Sequence, residues 1–233
     1  MKQFLDINWT YKVNDTHIYW SKETNGGGTQ YIQAYFDYFK KYHPNKTFNH
    51  ALDWCSGVGF LGLGMLACDV CNHITLLEKF EPACDLMHKT IKDNNIDNAT
   101  AVHNDNVAIL KDNYDLIIGN PPQFRQYHYL PTGDVQFNSK EDWIRLAIDK
   151  NWNAHREFFT NIKNKMAPDC VILLTENSAS INSIAQVAQE CGFAVKNKHF
   201  AMSGPDHYAR DRKGAAMKDW GEILFVEFVL GTP

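Results

Sequence analysis

The pattern of apolar and polar residues becomes regular from about residue 50. Seven runs of strand type follow, at 50–55, 73–78, 99–103, 114–119, 170–175, 193–200 and 222–230. Helical periodicity marks the segments 60–68, 81–94, 106–111, 154–166 and 180–191. Strands that alternate with helices predict parallel β-α-β units joined by right-handed crossovers. The last two strand-type runs have no helical pattern between them, so we expect them to pair antiparallel at an edge of the sheet.

The residues before this regular region follow a different pattern. Apolar residues alternate over 7–20 on both sides of an Asn14-Asp15 turn, which predicts a β-hairpin. A glycine-rich loop at 24–29 comes next, and an aromatic-rich helix is predicted over 29–42. This N-terminal part is interpreted either as a lid over a bound ligand or as a plain linker.

These patterns divide the chain into two parts. Residues 1–45 are predicted to form an N-terminal hairpin and helix extension, and residues 46–233 the main α/β domain. The long irregular stretch at about 123–153 is predicted to be an insertion that covers the substrate, since loops of that length are usually functional.

The composition agrees with one soluble globular core. The chain has 233 residues, of which 44% are hydrophobic. Its 27 acidic and 23 basic side chains give a formal charge of −4, which disfavours a domain dominated by nucleic-acid electrostatics. No run of 18 apolar residues occurs, and the N-terminus has no apolar signal-peptide core. We therefore expect no membrane span and a cytoplasmic location.

Six cysteines show no spacing typical of a disulfide framework. Cys68 and Cys71 form a single C-x-x-C, with His73 close behind, and could belong to a zinc or redox site. The favoured interpretation is a pair of small buried residues between a helix and a strand. No second C-x-x-C exists to complete a tetrahedral site, so no metal is expected.

A glycine loop lies where the first strand of the regular region meets its helix. It contains a complete G-x-G-x-x-G at Gly57, Gly59 and Gly62. Glycines at such a turn let the backbone come close to a nucleotide ligand, and nicotinamide-dependent oxidoreductases use the same pattern. Asp53 directly before the loop would repel a pyrophosphate but attract a sulfonium or an α-ammonium group.

Two more acids recur at the ends of the next strands. Glu78 closes the second strand and Asp105 follows the third. Because the carboxyl ends of parallel strands line one crevice, these carboxylates are expected to share a ligand with Asp53. Glu78 can accept hydrogen bonds from both ribose hydroxyls, and Asp105 can accept one from an adenine amino group. S-adenosylmethionine has these groups, carries two cations and has no phosphate.

An Asn-Pro-Pro turn follows the fourth strand. Pro121 and Pro122 fix φ and lack N–H donors, so the backbone there can only accept hydrogen bonds. The side-chain carbonyl of Asn120 adds another acceptor. Together they form a rigid bay suited to a neutral amino group, which would be held by its hydrogens with its lone pair aimed at an electrophile.

On these residues the chain resembles the class I S-adenosylmethionine-dependent methyltransferases over roughly 45–233. The matching segments read D-W-C-S-G-V-G-F-L-G, L-L-E, N-D-N and I-I-G-N-P-P-Q. The Asn-Pro-Pro motif resembles the amino-methyltransferases of the [D/N/S]-P-P-[Y/F/W] type, which include protein-glutamine, adenine-N6 and guanine-N2 enzymes and the methyltransferase small domain group. The resemblance implies a Rossmann-like fold, a seven-stranded mostly parallel sheet with helices on both faces and an antiparallel last strand.

The resemblance also implies a set of site residues. The cofactor-binding residues would be Asp53, Ser56, Gly57, Gly59, Glu78, Lys79, Asp105, Asn106 and Asn120. The catalytic residues would be Asn120, Pro121 and Pro122. The substrate-binding residues would be Gln123, Phe124 and Glu176. The fourth motif residue is normally an aromatic that stacks on a planar target; here it is Gln123, and Phe124 follows one place later.

The most favoured function is N-methylation of an amide or amino group, on a glutamine-like protein side chain or a small amino compound. Four alternatives remain. They are an adenine-N6 methyltransferase on RNA or DNA, a small-molecule S- or N-methyltransferase similar to methionine S-methyltransferases, a nicotinamide-dependent oxidoreductase, and a cofactor-binding module without catalysis. The acidic charge favours a protein or small-molecule acceptor over nucleic acid.

Overall fold

A computed structural model describes residues 9–24, 29–125, 140–201 and 222–231. The strands are β1 Trp9–Val13, β2 Thr16–Trp20, β3 Phe48–Trp54, β4 Cys71–Glu78, β5 Ala99–His103, β6 Tyr114–Gly119, β7 Met166–Asn177, β8 Phe193–Phe200 and β9 Ile223–Leu230. The helices are α1 Thr29–Tyr42, α2 Phe60–Ala67, α3 Glu81–Asp93, α4 Lys140–Ala147, α5 Asn153–Ile162 and α6 Ile181–Glu190. Short 3₁₀ turns lie at Lys22–Thr24, Val107–Ile109, Lys150–Trp152 and Lys163–Lys165.

Seven strands form one sheet in the order β5-β4-β3-β6-β7-β9-β8. The strands from β5 to β7 in this order are parallel, whereas β9 runs antiparallel to both β7 and β8. The predicted mostly parallel, Rossmann-like sheet with an antiparallel last strand is therefore confirmed. The antiparallel pairing of the last two strands is also confirmed, and β9 lies inside β8 at that edge.

Helices cover both faces of the sheet, as predicted. One face packs against α1, α2 and α3, with the fully buried Tyr35, Phe48 and Met65 among its core residues. The other face packs against α5 and α6 through residues such as Phe159 and Phe228. Strands buried on both faces are apolar almost throughout, which explains the continuous apolar runs in the sequence.

Two predicted helices differ in extent from those of the structure. The segment 106–111 holds only the 3₁₀ turn Val107–Ile109. The α-helix predicted over 154–166 ends at Ile162, and β7 begins already at Met166. Among the described residues, no helix combines the length and apolar character required to cross a membrane.

The hairpin and α1 pack on the face that carries α2 and α3. The amide of Tyr19 donates to Thr90 Oγ1 (3.0 Å), and the amide of His17 donates to Asn94 Oδ1 (2.8 Å). On α2, a Cβ at Gly64 would lie 2.8 Å from the Ile32 side chain, so this glycine permits the close approach of α1. The glycine-rich loop, at 25–28, and part of the predicted insertion, at 126–139, lie outside the described residues.

The C-x-x-C cysteines lie between a helix and a strand, as the favoured interpretation expected. Cys68 caps the end of α2, Cys71 opens β4, and both thiols are free. Burial raises the pKa of the Cys71 thiol to about 12, which disfavours the thiolate that a zinc or redox site requires.

Candidate active site

A cavity of about 360 Å³ opens at the carboxyl ends of β3, β4, β5 and β6. Cavities of this size are typical of small-ligand sites. The predicted site residues that line it are Asp53, Ser56, Gly57, Glu78, Lys79, Asp105, Asn120 and Pro122. Segments far apart in the sequence therefore meet at one place, because all of them follow strands that end at the same edge of the sheet.

The glycine loop is shaped by backbone conformations and contacts that require glycine. Gly57 and Gly59 have φ values of 57° and 87°, in the left-handed region that disfavours side chains. Gly62 lies so close to the sheet that an added Cβ would be 2.4 Å from Leu76 Cδ2 and 3.0 Å from Asp53 Oδ2. Cys55 also has a positive φ of 58°, a strained conformation of the kind that clusters at binding sites.

Asp53 is a fully buried carboxylate at the end of β3. Its Oδ2 accepts a hydrogen bond from the Gly62 amide (2.8 Å). Its Oδ1 is buried, and no donor reaches it within the described part of the chain. Burial, assisted by the charge of Glu78, raises the pKa of Asp53 to about 8. A cationic ligand group would satisfy Oδ1 and lower this pKa.

Glu78 connects the end of β4 to the glycine loop. Its Oε2 accepts from the Gly57 amide (2.8 Å) and its Oε1 from the Phe80 amide (2.8 Å). Each carboxylate oxygen has a further lone pair, so Glu78 can hold the loop and still accept from ligand hydroxyls. The sequence predicted a ligand contact for Glu78, which stays a prediction, and gave no sign of the bond to Gly57.

The Asn-Pro-Pro turn begins where β6 ends. A Cβ at Gly119 would lie 2.5 Å from the Trp54 carbonyl oxygen, so glycine permits β3 and β6 to lie side by side up to the turn. Asn120 is half-buried and lines the cavity together with Pro122, while Pro121 is buried. The predicted acceptor turn and the glycine loop therefore face one cavity.

Comparison with protein families matches residues 35–132 to the methyltransferase small domain. No curated protein matches the sequence. The ribosomal protein L11 methylase of Lactobacillus delbrueckii subsp. bulgaricus shares the fold with a TM-score of 0.53 and 12% identity, covering 88% of this chain and 81% of that one. The tRNA m1G37 methyltransferase of M. jannaschii has a TM-score of 0.54 and 15% identity, and the match covers 96% of this chain and 57% of that one. TYW2 of M. jannaschii, solved in complex with AdoMet, has a TM-score of 0.52 and 14% identity, covering 95% and 85%.

The matched segment runs from α1 past the Asn-Pro-Pro turn, so it contains the glycine loop and the acids at the strand ends. Residues 35–132 thus match the methyltransferase small domain, and the described fold is shared with solved methyltransferases. These similarities favour a methyltransferase over a nicotinamide-dependent oxidoreductase. The narrower assignment to the Asn-Pro-Pro-aromatic subtype stays a prediction.

The residues that line the cavity fit S-adenosylmethionine. The buried Oδ1 of Asp53 can accept from a ligand ammonium group, and the spare lone pairs of Glu78 from hydroxyls. Gly57 leaves open space on its ligand side, since an added Cβ would meet nothing within 4 Å. When bound, this cofactor supplies an electrophilic methyl group on a sulfonium.

The third strand end contributes Asn104 and Asp105 to the cavity wall, and Asp105 is exposed. Asn106 does not line the cavity; its Oδ1 accepts from the Ala108 amide (2.7 Å) and caps the following 3₁₀ turn. Sequence reasoning missed Glu157 on α5, which lines the cavity near Asp105. Burial and the charge of Asp105 raise the pKa of Glu157.

None of the three predicted substrate-binding residues lines the cavity. Gln123 is buried, and its Nε2 donates to Asn120 Oδ1 (2.8 Å). Glu176 is fully buried at the end of β7. The side chain of Phe124 is half-buried, and its backbone pairs with the segment that follows α4. The direction of each side chain is set by the groups that it contacts, and the sequence does not show which groups those are.

Glu176 belongs to a buried charged triad that sequence reasoning did not find. His155 Nδ1 lies 2.7 Å from Asp149 Oδ2, and His155 Nε2 lies 3.1 Å from Glu176 Oε1. Burial alone would lower the pKa of His155, but the charge of Glu176 and the hydrogen bond to Asp149 raise it to about 9. The imidazole is therefore cationic at neutral pH, and Asp149 connects the triad to the cavity wall.

The N-terminal extension supplies two further features of the site. Thr24 lines the cavity, and the Arg145 guanidinium donates to the Glu23 carbonyl (2.6 Å) while lying 3.7 Å from the Phe80 ring centroid. On α1, the buried Tyr35 hydroxyl donates to the Gly119 carbonyl (2.9 Å). The extension is thus joined to the residues around the cavity.

Proposed function

We propose that the chain is an S-adenosylmethionine-dependent methyltransferase that transfers a methyl group to the nitrogen of an amide or amino group held by the Asn120-Pro121-Pro122 turn. The observation that carries this proposal is that Asn120 and Pro122 line the same cavity as Asp53 and Glu78. An acceptor held by the turn would therefore lie beside the bound cofactor.

The chemistry of the turn supports a nitrogen acceptor. Pro121 and Pro122 present no N–H groups, so the turn offers only carbonyl oxygens from its backbone. An amino group that donates to Asn120 Oδ1 and the Pro121 carbonyl would keep its lone pair free. Placing that lone pair in line with the methyl group contributes by orientation and needs no strong base at the nitrogen.

The acceptor is proposed to be a glutamine-like protein side chain or a small amino compound. The excess of acidic residues supports this choice, because it disfavours a long phosphate backbone. RNA is the second candidate, since one neighbour is named a tRNA methyltransferase; another is named a ribosomal protein methylase. Affinity for nucleic acid would fall steeply with salt, whereas affinity for a small amine would not.

The test is methyl transfer from labelled S-adenosylmethionine to three acceptor sets: glutamine-containing peptides and cell protein, small amino compounds including methionine, and RNA. We expect the labelled methyl group on a nitrogen atom in one of the first two sets. Asn120→Ala should lower turnover by at least about tenfold with little change in cofactor affinity, because it removes one acceptor of the bay. The matched control is Gln189→Ala, an exposed amide on α6 that does not line the cavity.

Three outcomes would contradict the proposal. Wild-type turnover in Asn120→Ala would exclude the acceptor bay. Transfer to methionine sulfur would point to an S-methyltransferase. Binding of S-adenosylhomocysteine without transfer to any acceptor set would favour a cofactor-binding module.

A further inference from the structure

Gln123 stands where related motifs carry an aromatic residue, and its side chain turns into the protein. It is 9% exposed and does not line the cavity. Its Nε2 donates to Asn120 Oδ1 (2.8 Å) and to the Thr175 carbonyl (3.1 Å). Both amide hydrogens are therefore used, and one of them reaches the side chain that faces the cavity.

The orientation of both amides follows from the Thr175 carbonyl. A carbonyl oxygen can only accept, so the Gln123 atom that contacts it must be the amide nitrogen. The same nitrogen lies 2.8 Å from Asn120, and the atom it meets there must accept as well. The Asn120 carboxamide is thereby held with its oxygen towards Gln123, and Oδ1 keeps one lone pair for another donor.

The two prolines explain why this contact matters. An Asn side chain in a turn commonly accepts from the backbone N–H two residues later. That residue is Pro122, which has no N–H, and Pro121 has none either. No local backbone donor within the Asn-Pro-Pro turn can hold the Asn120 carboxamide, so the donor comes from the side chain of Gln123.

Gln123 is itself held between fixed points. Thr175 Oγ1 lies 2.9 Å from the Tyr35 hydroxyl, which donates to the Gly119 carbonyl directly before Asn120. On the other side, the Phe124 amide donates to the Ala147 carbonyl (2.9 Å). The end of β7, helix α1 and the end of α4 thus hold the glutamine in place.

We propose that Gln123 is the positioning residue that orients the Asn120 carbonyl towards the acceptor nitrogen. This inference rests on the proposed function. It also bears on the substrate class, because a buried glutamine offers no ring at this position. The acceptor group is then held by hydrogen bonds rather than by stacking on residue 123.

The test uses two cofactor analogues, so it does not depend on knowing the acceptor. Sinefungin carries an amine in place of the methyl-bearing sulfonium, and that amine can donate to the Asn120 bay; S-adenosylhomocysteine has no such group. The ratio of their Kd values, measured by calorimetry, reports on the bay alone. We expect Asn120→Ala to lower the preference for sinefungin about tenfold, the effect of losing a charge-assisted hydrogen bond.

Gln123→Met keeps the volume of the side chain and removes its donors. It should lower the sinefungin preference about fivefold while the Kd of S-adenosylhomocysteine stays within twofold. In the double variant Asn120→Ala/Gln123→Met, the methionine should cause no further loss, because Gln123 acts through Asn120. Exposed Gln189→Ala serves as the control, and an unchanged Kd for S-adenosylhomocysteine confirms that each variant is folded.

The outcomes separate two failures. If Asn120→Ala leaves the preference unchanged, the acceptor bay is wrong and the proposed function fails with it. If Asn120→Ala lowers the preference but Gln123→Met does not, only the positioning role fails. An additive loss in the double variant would also overturn that role.

Discussion

The buried carboxylate of Asp53 makes cofactor affinity depend on pH. Its pKa in the free protein is about 8, raised chiefly by burial, and its Oδ1 is the atom expected to accept from the ligand ammonium. Below pH 8 the carboxyl holds a proton, which must leave before an ion pair with that ammonium forms. Affinity for S-adenosylhomocysteine should therefore rise with pH.

The size of this effect follows from the pKa. Two pH units below the pKa of Asp53, ionising its carboxyl costs about 2.7 kcal/mol, which corresponds to an affinity lower by about 100-fold. Between pH 5.5 and 7.5, the Kd should fall about tenfold per unit. The same pKa also affects stability, because a raised carboxyl pKa favours the folded state at low pH. That contribution is complete below the unfolded value near 3.8 and is lost as the pH rises through about 8.

The assay is calorimetric titration at several pH values, in buffers of different ionisation enthalpy, so that released protons are counted. We expect release of about one proton at pH 6 to 7. Methylthioadenosine lacks the ammonium group and serves as the matched ligand. Asp53→Asn can still accept from the Gly62 amide and should remove the pH dependence. A pH-independent Kd in the wild type, or the same slope in Asp53→Asn, would refute this reasoning.

Three further predictions concern the framework of the site. His155→Ala should lower the free energy of unfolding by about 3–5 kcal/mol in urea titration, because Asp149 and Glu176 stay buried without their cation. Since the pKa of His155 is raised to about 9, its contribution to stability is complete below about pH 6.5 and is lost as the pH rises through 9. A difference in stability between wild type and variant that does not change with pH would contradict this. Tyr35→Phe should cost about 1–2 kcal/mol by loss of the buried hydroxyl bonds, and an unchanged urea midpoint would argue against them. Gly62→Ala should weaken binding of S-adenosylhomocysteine and lower the melting temperature, since the alanine Cβ would lie 2.4 Å from a β4 side chain. A variant with wild-type affinity and melting temperature would mean that the loop can shift to make room for the methyl group.

The alternation of strand and helix patterns was enough to predict the sheet and the edge where the cavity lies. Asp53, Glu78, Asp105 and Asn120 could be placed together because parallel strands end on one side of a sheet, whatever their separation in the chain. The glycine loop was predictable for a related reason, since a turn with positive φ leaves few residue types that can occupy it.

The sequence could not reveal which way the side chains around that edge point. Gln123 and Glu176 turn away from the cavity because Thr175, which binds Gln123, lies on β7 and His155, which binds Glu176, lies on a helix. Tyr35 reaches the site from a helix that precedes the whole motif. Such contacts join residues with no shared periodicity, so only the packing of helices against the sheet decides them. The pattern along the chain thus determined the fold and the place of the candidate site, and the tertiary structure decided which side chains face it.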